Sequence, residues 1–160
     1  MRPFVLAAVL GVALVVVGCA YQPGSFNQPY TKKAFTGQRV TVGCLDVAVE
    51  REWDRGSWAV LDFSFGNRCD KAATVDLAWA QVVGRTTEGN EIALVPYDPK
   101  SELRVLRLDG RVSGREVLAY PADVSLGQVC VDVASLAHQK PAQWVCFGNL
   151  VAVAMAEVAP

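Results

Sequence analysis

Short segments in which apolar and polar residues alternate recur along the chain, with turn-forming residues between them. The segment 58–66, WAVLDFSFG, is one example, and similar segments lie at 39–50, 74–84, 92–97, 103–108, 115–120, 126–136 and 143–148. Alternation with a period of two predicts strands, and no long segment has the 3.6-residue period of an amphipathic helix. The sequence therefore predicts an all-β, antiparallel, immunoglobulin-like β-sandwich of seven to eight strands, with a small barrel as the rival architecture.

The same alternation assigns side chains to faces. The segment 74–84 is read as one strand in which Val75, Leu77 and Trp79 share a face, so Trp79 is expected to pack inside. Several aspartates fall between apolar residues, on the face opposite the core, where antiparallel sheets are commonly solvated. These expected surface aspartates are Asp46, Asp62, Asp76 and Asp132.

The N-terminal segment carries a basic residue at its second position, Arg2, and includes fifteen consecutive apolar or glycine residues from Phe4 to Gly18. That run is shorter than the roughly 20 residues of a membrane-spanning helix and is typical of a secretory signal. The order Val16-Val17-Gly18-Cys19 resembles the lipobox of bacterial lipoproteins. The resemblance implies a signal peptide over residues 1–18 and acyl chains on Cys19, which becomes the first residue of the mature protein.

The lipoprotein resemblance also implies a location. A lipid on Cys19 would anchor the protein to a membrane of the cell envelope, and Ala20, in place of an aspartate, favours the outer membrane. Residues 19–38 contain prolines, glycines and amides without a strand or helix period, which predicts a lipidated N-terminus and a flexible tether reaching about 25 Å. The sandwich would span residues 39–160, and its tail, 149–160, is left open between strand, helix and disorder.

Four cysteines remain once the lipobox cysteine is set aside, and an even number in an exported chain favours disulfides. A hairpin that turns near His138 would pair Cys130 with Cys146, which leaves Cys44 with Cys69. The pairing Cys44–Cys130 with Cys69–Cys146 is the alternative. No two cysteines lie closer than sixteen residues, so the spacing does not match a zinc site and no metal is expected.

Catalytic and cofactor motifs are not found. The single histidine, His138, lies in a predicted turn, and no Gly-x-Ser-x-Gly nucleophile elbow accompanies it. No glycine-rich segment has the spacing of a phosphate-binding loop. Loss of Arg2 with the signal lowers the net charge from −1 to −2, which argues against a nucleic-acid partner. The expectation is a protein that is not an enzyme and needs no cofactor.

Trp53 is the candidate for a partner contact, because it lies in a turn between the charged residues Glu52 and Asp54. An exposed aromatic ring at such a position can mark a surface for a protein or a sugar. The alternative is a ring folded over the end of the hairpin.

Three segments resemble the immunoglobulin-like extracellular domains of many uncharacterised bacterial lipoproteins. They read GCLDVAV, LDFSFGNRCDK and LDGRVSGREVLAY, and the likeness covers about residues 39–148. It implies a sandwich in the cell envelope and carries no catalytic residues. The function expected is a non-catalytic protein-binding or structural module with an envelope protein as partner. A small-ligand or glycan binder is the alternative, and an envelope hydrolase is the less favoured one.

Overall fold

A computed structural model describes residues 20–24, 26, 38–52, 58–101 and 105–148. Within these residues, two antiparallel four-stranded sheets are the main elements of the fold. The strands within these ranges are β1 (Gln38–Val42), β2 (Leu45–Arg51), β3 (Ala59–Asn67), β4 (Ala73–Asp76), β5 (Gln81–Thr86), β6 (Glu91–Leu94), β7 (Val105–Leu108), β8 (Ser113–Tyr120), β9 (Leu126–Asp132) and β10 (Trp144–Phe147). The first sheet has the order β1-β2-β3-β8, the second β10-β9-β5-β6, and β4 pairs with β7 in a separate ribbon. The predicted antiparallel, immunoglobulin-like sandwich is confirmed.

The core lies between the two sheets and is built by the alternation seen in the sequence. Val47 and Phe65 are cross-strand partners in the first sheet, and Val82 and Val131 are partners in the second. All four side chains are at most 3 % exposed. The rings of Phe63 and Phe65 lie 6.0 Å apart in the same core. Burial of each large apolar side chain contributes about 1.5–3 kcal/mol, so the sandwich interior is the main source of stability.

The described residues contain ten strands instead of seven or eight, because two predicted strands are each interrupted by a turn. Gly43 has a φ of +56°, which suits glycine, and the two-residue turn at Gly43 and Cys44 separates β1 from β2. The segment 74–84 is divided by a 3₁₀ helix over Leu77–Trp79. A second 3₁₀ helix covers Ser135–Ala137.

Three of the four aspartates expected on a solvated face are buried, so that prediction is wrong for them. Asp46, Asp62 and Asp132 are 0 %, 4 % and 5 % exposed. Asp62 accepts hydrogen bonds from the guanidinium of Arg115, one of them 2.8 Å long from Nε. Asp46 accepts one of 2.8 Å from Nε of Arg39. The carboxylates are buried because each has charged or amide donors around it, as buried charges require.

The N-terminal segment lies on the outer face of the first sheet. Tyr21 is 5 % exposed, its hydroxyl donates a hydrogen bond to Asp46, and its amide donates to the Arg111 carbonyl at 2.6 Å. Its ring covers Gly66 so closely that a Cβ there would overlap it. Phe26 is also buried, with its ring 5.6 Å from that of Tyr21. Tyr21 and Phe26 are therefore docked on the domain, within the segment 19–38 for which a flexible tether is expected from sequence. Residues 19, 25 and 27–37 of that segment lie outside the described ranges.

One buried side-chain amide joins the turns at an end of the sandwich. Asn67, which is 0 % exposed, donates from Nδ2 to the carbonyls of Lys71, Leu108 and Asp109 at 2.7, 3.1 and 3.0 Å. Its Oδ1 accepts a hydrogen bond of 3.0 Å from the Cys69 amide. Asn67 therefore fixes the turn after β3 and the turn between β7 and β8 against each other.

Both predicted disulfides are present. Cys44 is bonded to Cys69, and Cys130 is bonded to Cys146, its cross-strand partner in β9 and β10. They close segments with sequence separations of 25 and 16 residues. Each bond contributes about 2–4 kcal/mol, chiefly by restricting the unfolded chain.

We expect Asn67→Ala to lower the free energy of unfolding by about 2–4 kcal/mol, because three carbonyls lose the donor that the buried Asn67 amide provides and a cavity is left in its place. Urea denaturation followed by circular dichroism measures this change. The matched control is Asn90→Ala, which alters an exposed side chain in the turn between β5 and β6. Equal stabilities for the two variants would contradict the role assigned to Asn67.

A second prediction concerns alkaline pH. Burial and the hydrogen bond to Asp46 raise the pKa of Tyr21 from 10.0 to about 12. The folded state therefore holds this phenol proton more tightly than the unfolded chain does. The stabilisation is complete below about pH 10 and is lost as the pH rises toward about 12. Tyr21→Phe should reduce stability at neutral pH and make its fall across this window shallower, as measured by urea denaturation at a series of pH values.

The control for loss of a hydroxyl is Tyr97→Phe, since Tyr97 is 55 % exposed and should tolerate the change at neutral pH. An unchanged alkaline slope in Tyr21→Phe would show that the Tyr21 phenol does not govern this loss of stability.

Candidate functional site

An open groove of about 520 Å³ lies beside the two 3₁₀ helices. One wall is formed by Trp79, and the other by the loop that connects β9 to β10. The polar side chains that line it belong to Gln81, Asp132, Ser135, His138, Gln139 and Lys140. The indole ring of Trp79 thus stands among several hydrogen-bonding groups in a cavity that is open to solvent.

Trp79 lies at the surface, 57 % exposed, so the prediction that it packs inside is wrong. The cause is Asp76, whose Oδ1 accepts a hydrogen bond of 3.2 Å from the Trp79 amide and begins the 3₁₀ helix. The helical turn ends the alternation of β4. Leu77 takes the core position at 3 % exposure, and Trp79 is directed outward.

The ring of His138 packs beside that of Trp79 in the groove lining. Its backbone is left-handed, with a φ of +52°, where the loop leaves the second 3₁₀ helix. Its Nε2 lies 3.0 Å from Oδ2 of Asp76, and its ring centroid lies 5.1 Å from that of Trp79. The histidine is exposed, as predicted for a turn residue, but Asp76 holds it in place. Asp76 therefore positions both rings, through one oxygen each.

The floor of the groove is held by hydrogen bonds to the main chain. Oδ1 of Asp132 accepts from the amides of Ala134 and Gln143 at 3.0 and 2.8 Å. The Ser135 hydroxyl donates to the Asp132 carbonyl at 2.6 Å and accepts from the Gln81 amide at 2.9 Å. These bonds fix the loop, so the groove is already formed without a ligand.

The arrangement is suited to stacking and hydrogen bonding. The proton of the Ser135 hydroxyl is donated to a carbonyl and is not available to a neighbouring base. Nε2 of His138 is engaged by Asp76, which does not line the groove. Within the described ranges, no group of three or more His, Cys, Asp or Glu side chains could hold a metal ion. The groove offers a preformed surface for a ligand.

The residues proposed from sequence fall elsewhere. Cys19 and Trp53 lie outside the described residues. Cys130 and Cys146 lie on neighbouring strands of the second sheet, away from the groove lining. The missed signal is an aspartate three residues before Trp79, since aspartate at that spacing caps a helical turn.

A second aromatic surface lies apart from the groove. Trp58 and Tyr97 have ring centroids 4.8 Å apart, and Tyr97 is 55 % exposed. The Tyr97 amide donates to the Ala119 carbonyl at 2.7 Å, which places this pair beside the edge strand β8. Val117, on the same strand, is 43 % exposed.

In the part of the chain that the structure describes, no helix is long and apolar enough to cross a bilayer.

Comparisons with solved structures give distant likenesses, two of which are described here. No family model matches the chain, and no curated protein matches it. The yjhA protein from Bacillus subtilis is 10 % identical, with a TM-score of 0.46 over 64 % of this chain and 83 % of its own. A DUF1425 family member from Shewanella sp. pv-4 is 11 % identical, with a TM-score of 0.33 over 74 % of this chain and 94 % of its own. Neither likeness contributes to the assignment of the groove.

We expect Trp79→Ala to change the free energy of unfolding by no more than about 1 kcal/mol, because the ring is more than half exposed. Leu77→Ala, two residues earlier, should cost about 2–4 kcal/mol because it leaves a cavity in the core. Urea denaturation of both variants measures the difference. A loss in Trp79→Ala as large as that in Leu77→Ala would mean that the ring supports the fold.

Proposed function

We propose that the protein is a lipid-anchored, non-catalytic binding module of the bacterial cell envelope, and that its ligand occupies the groove beside Trp79. The observation that carries the proposal is the exposed Trp79 ring, held in a preformed groove in contact with the ring of His138. An exposed aromatic ring that is dispensable for the core is a common anchor in binding surfaces.

The size and lining of the groove favour a small ligand with one flat apolar face and several polar groups. A volume of about 520 Å³ falls within the range usual for small-molecule sites. The ring of Trp79 can stack on the apolar face, while Gln81, Gln139 and Lys140 can bond the polar groups at the rim. A sugar ring has both properties, so the proposed ligand class is a glycan of the envelope.

The second candidate is a protein partner that binds at Tyr97. The supporting observation is the exposed Tyr97 ring, packed on the half-buried Trp58 and near the exposed Val117, since interface centres are enriched in aromatic residues. Trp53, the contact proposed from sequence, precedes Trp58 by five positions in the sequence and lies outside the described residues.

The anchoring part of the proposal rests on the lipobox at Val16–Cys19, with residues 1–18 removed and acyl chains added to Cys19. More than one acyl chain gives durable membrane binding, because each buried methylene contributes about 0.8 kcal/mol. Ala20 favours the outer membrane as the destination.

For the ligand, we expect soluble glycan fragments from bacterial cell walls to perturb tryptophan fluorescence and the NMR resonances of the groove. Trp79→Ala should weaken this binding about tenfold or more, the loss expected for an aromatic stacking contact. The matched control is Trp144→Ala, because Trp144 is 48 % exposed and does not line the groove. Equal losses in both variants, or no binding by the unmodified protein, would contradict the glycan proposal; cross-linking to a protein that depends on Tyr97 would favour the second candidate.

For the anchor, we expect Cys19→Ser to move the protein from the membrane fraction to the soluble fraction and to abolish fatty-acid labelling. Membrane fractionation and mass spectrometry of the mature N-terminus measure both effects. Labelling that persists in Cys19→Ser would rule out this cysteine as the lipid site.

A further inference from the structure

The docked N-terminal segment sets the distance between the proposed lipid and the domain. Tyr21 is held by the Arg111 carbonyl and by Asp46, and only Ala20 separates it from Cys19. Two residues span roughly 7 Å even when extended. A lipid on Cys19 would therefore begin within about 10 Å of Arg111, with no flexible spacer between them.

The surface at this position is built from two turns, and we call it the anchor end. It comprises residues 67–71, between β3 and β4, and residues 109–112, between β7 and β8. The Arg111 amide donates to the Cys69 carbonyl at 3.0 Å, and the Arg111 guanidinium lies 2.9 Å from Asp70. Together with the Asn67 side chain, these bonds make the two turns one rigid surface.

The anchor end is basic in a protein that is otherwise acidic. The exposed charged side chains of its two turns are Arg68, Lys71 and Arg111 against Asp70 and Asp109, and Arg107 lies beside them in strand β7. Their net charge is +2, whereas the chain without Arg2 has a net charge of −2. The remaining side chains therefore sum to −4. Phospholipid headgroups that carry a net negative charge attract basic surfaces and repel acidic ones.

The groove lies near this end. A Cβ on Gly43 would come within 2.7 Å of Nε2 of Gln139, a groove residue, so this turn packs against the β9–β10 loop. Gly43 precedes Cys44, whose disulfide to Cys69 leads directly to the anchor end. The basic side chain of Lys140 lines the same groove.

We propose that the anchor end rests on the anionic headgroups of the leaflet that holds the lipid on Cys19, with the domain fixed in one orientation and the groove close to the membrane surface. This inference rests on the proposed lipidation. The docked Tyr21 supplies the constraint on distance, and the basic turns supply the attraction.

The test uses the lipidated chain, with the reactivity of single lysines toward a water-soluble acylating reagent as the readout. The chain is compared in vesicles of phosphatidylcholine and phosphatidylglycerol and in neutral detergent micelles, and modified lysines are identified by mass spectrometry. Lys71, on the anchor end, should react roughly fivefold more slowly in the vesicles. Lys100 is the internal control, because it follows Tyr97 in the turn beside the opposite end of β8 and is also exposed.

The variant Tyr21→Ala should restore the reactivity of Lys71 while the acyl chains remain, because it removes the hydrogen bond to Asp46 and the ring packed on Gly66, the side-chain contacts that hold the lipid site against the domain. Tyr97→Ala is the matched control and should leave Lys71 protected. The proposed orientation would be overturned if the reactivities of Lys71 and Lys100 changed equally between micelles and vesicles. It would also be overturned if Lys71 stayed protected in Tyr21→Ala. An N-terminus without acyl chains in the mass spectrum would instead overturn the anchoring, and the orientation with it.

Discussion

The hydrogen bonds of the buried Asn67 amide are the constraint on which much of this molecule depends. A sandwich core is non-directional and would tolerate several arrangements of its terminal turns. Asn67 selects one, because its donors match three carbonyls from two turns that are about 40 residues apart in sequence. The fixed position of Arg111 follows from it, and with it the site where Tyr21 binds. The hydrogen bonds of Asn67 thus fix the place where the N-terminal segment is attached to the domain.

Much of the sandwich was predictable because alternation is a local property. The strands around Phe63 and Val131 were identified from a period of two, and the hairpin that pairs Cys130 with Cys146 from their symmetry. The turn at Gly43 was missed because the apolar pattern continues through it. The buried aspartates were missed for a different reason, since the burial of Asp62 depends on Arg115, 53 residues away. Alternation tells which face a residue takes but not what covers that face.

The candidate groove could not be predicted from alternation either, because it depends on contacts between residues that are distant in sequence. Its two rings come from segments about 60 residues apart, and Asp76 is their common partner. In sequence, Asp76 was one of several strand aspartates, and Trp79 was assigned to the core because the 3₁₀ turn was not foreseen. The docking of residues 20–24 bears on the proposed function as well. If Cys19 is lipidated, as we propose, the groove would lie close to the membrane and would meet different ligands from a groove on a long tether.

The disulfide pattern has a consequence for how the protein is made. Each of the four domain cysteines pairs with its neighbour in sequence, Cys44 with Cys69 and Cys130 with Cys146. If the chain is exported from its N-terminus, as we propose, each cysteine meets its correct partner as the next one to emerge. Simple stepwise oxidation then yields the native pairs, and the slow reshuffling of mispaired bonds is not required. Maturation of this domain should depend on an oxidant and not on a disulfide isomerase.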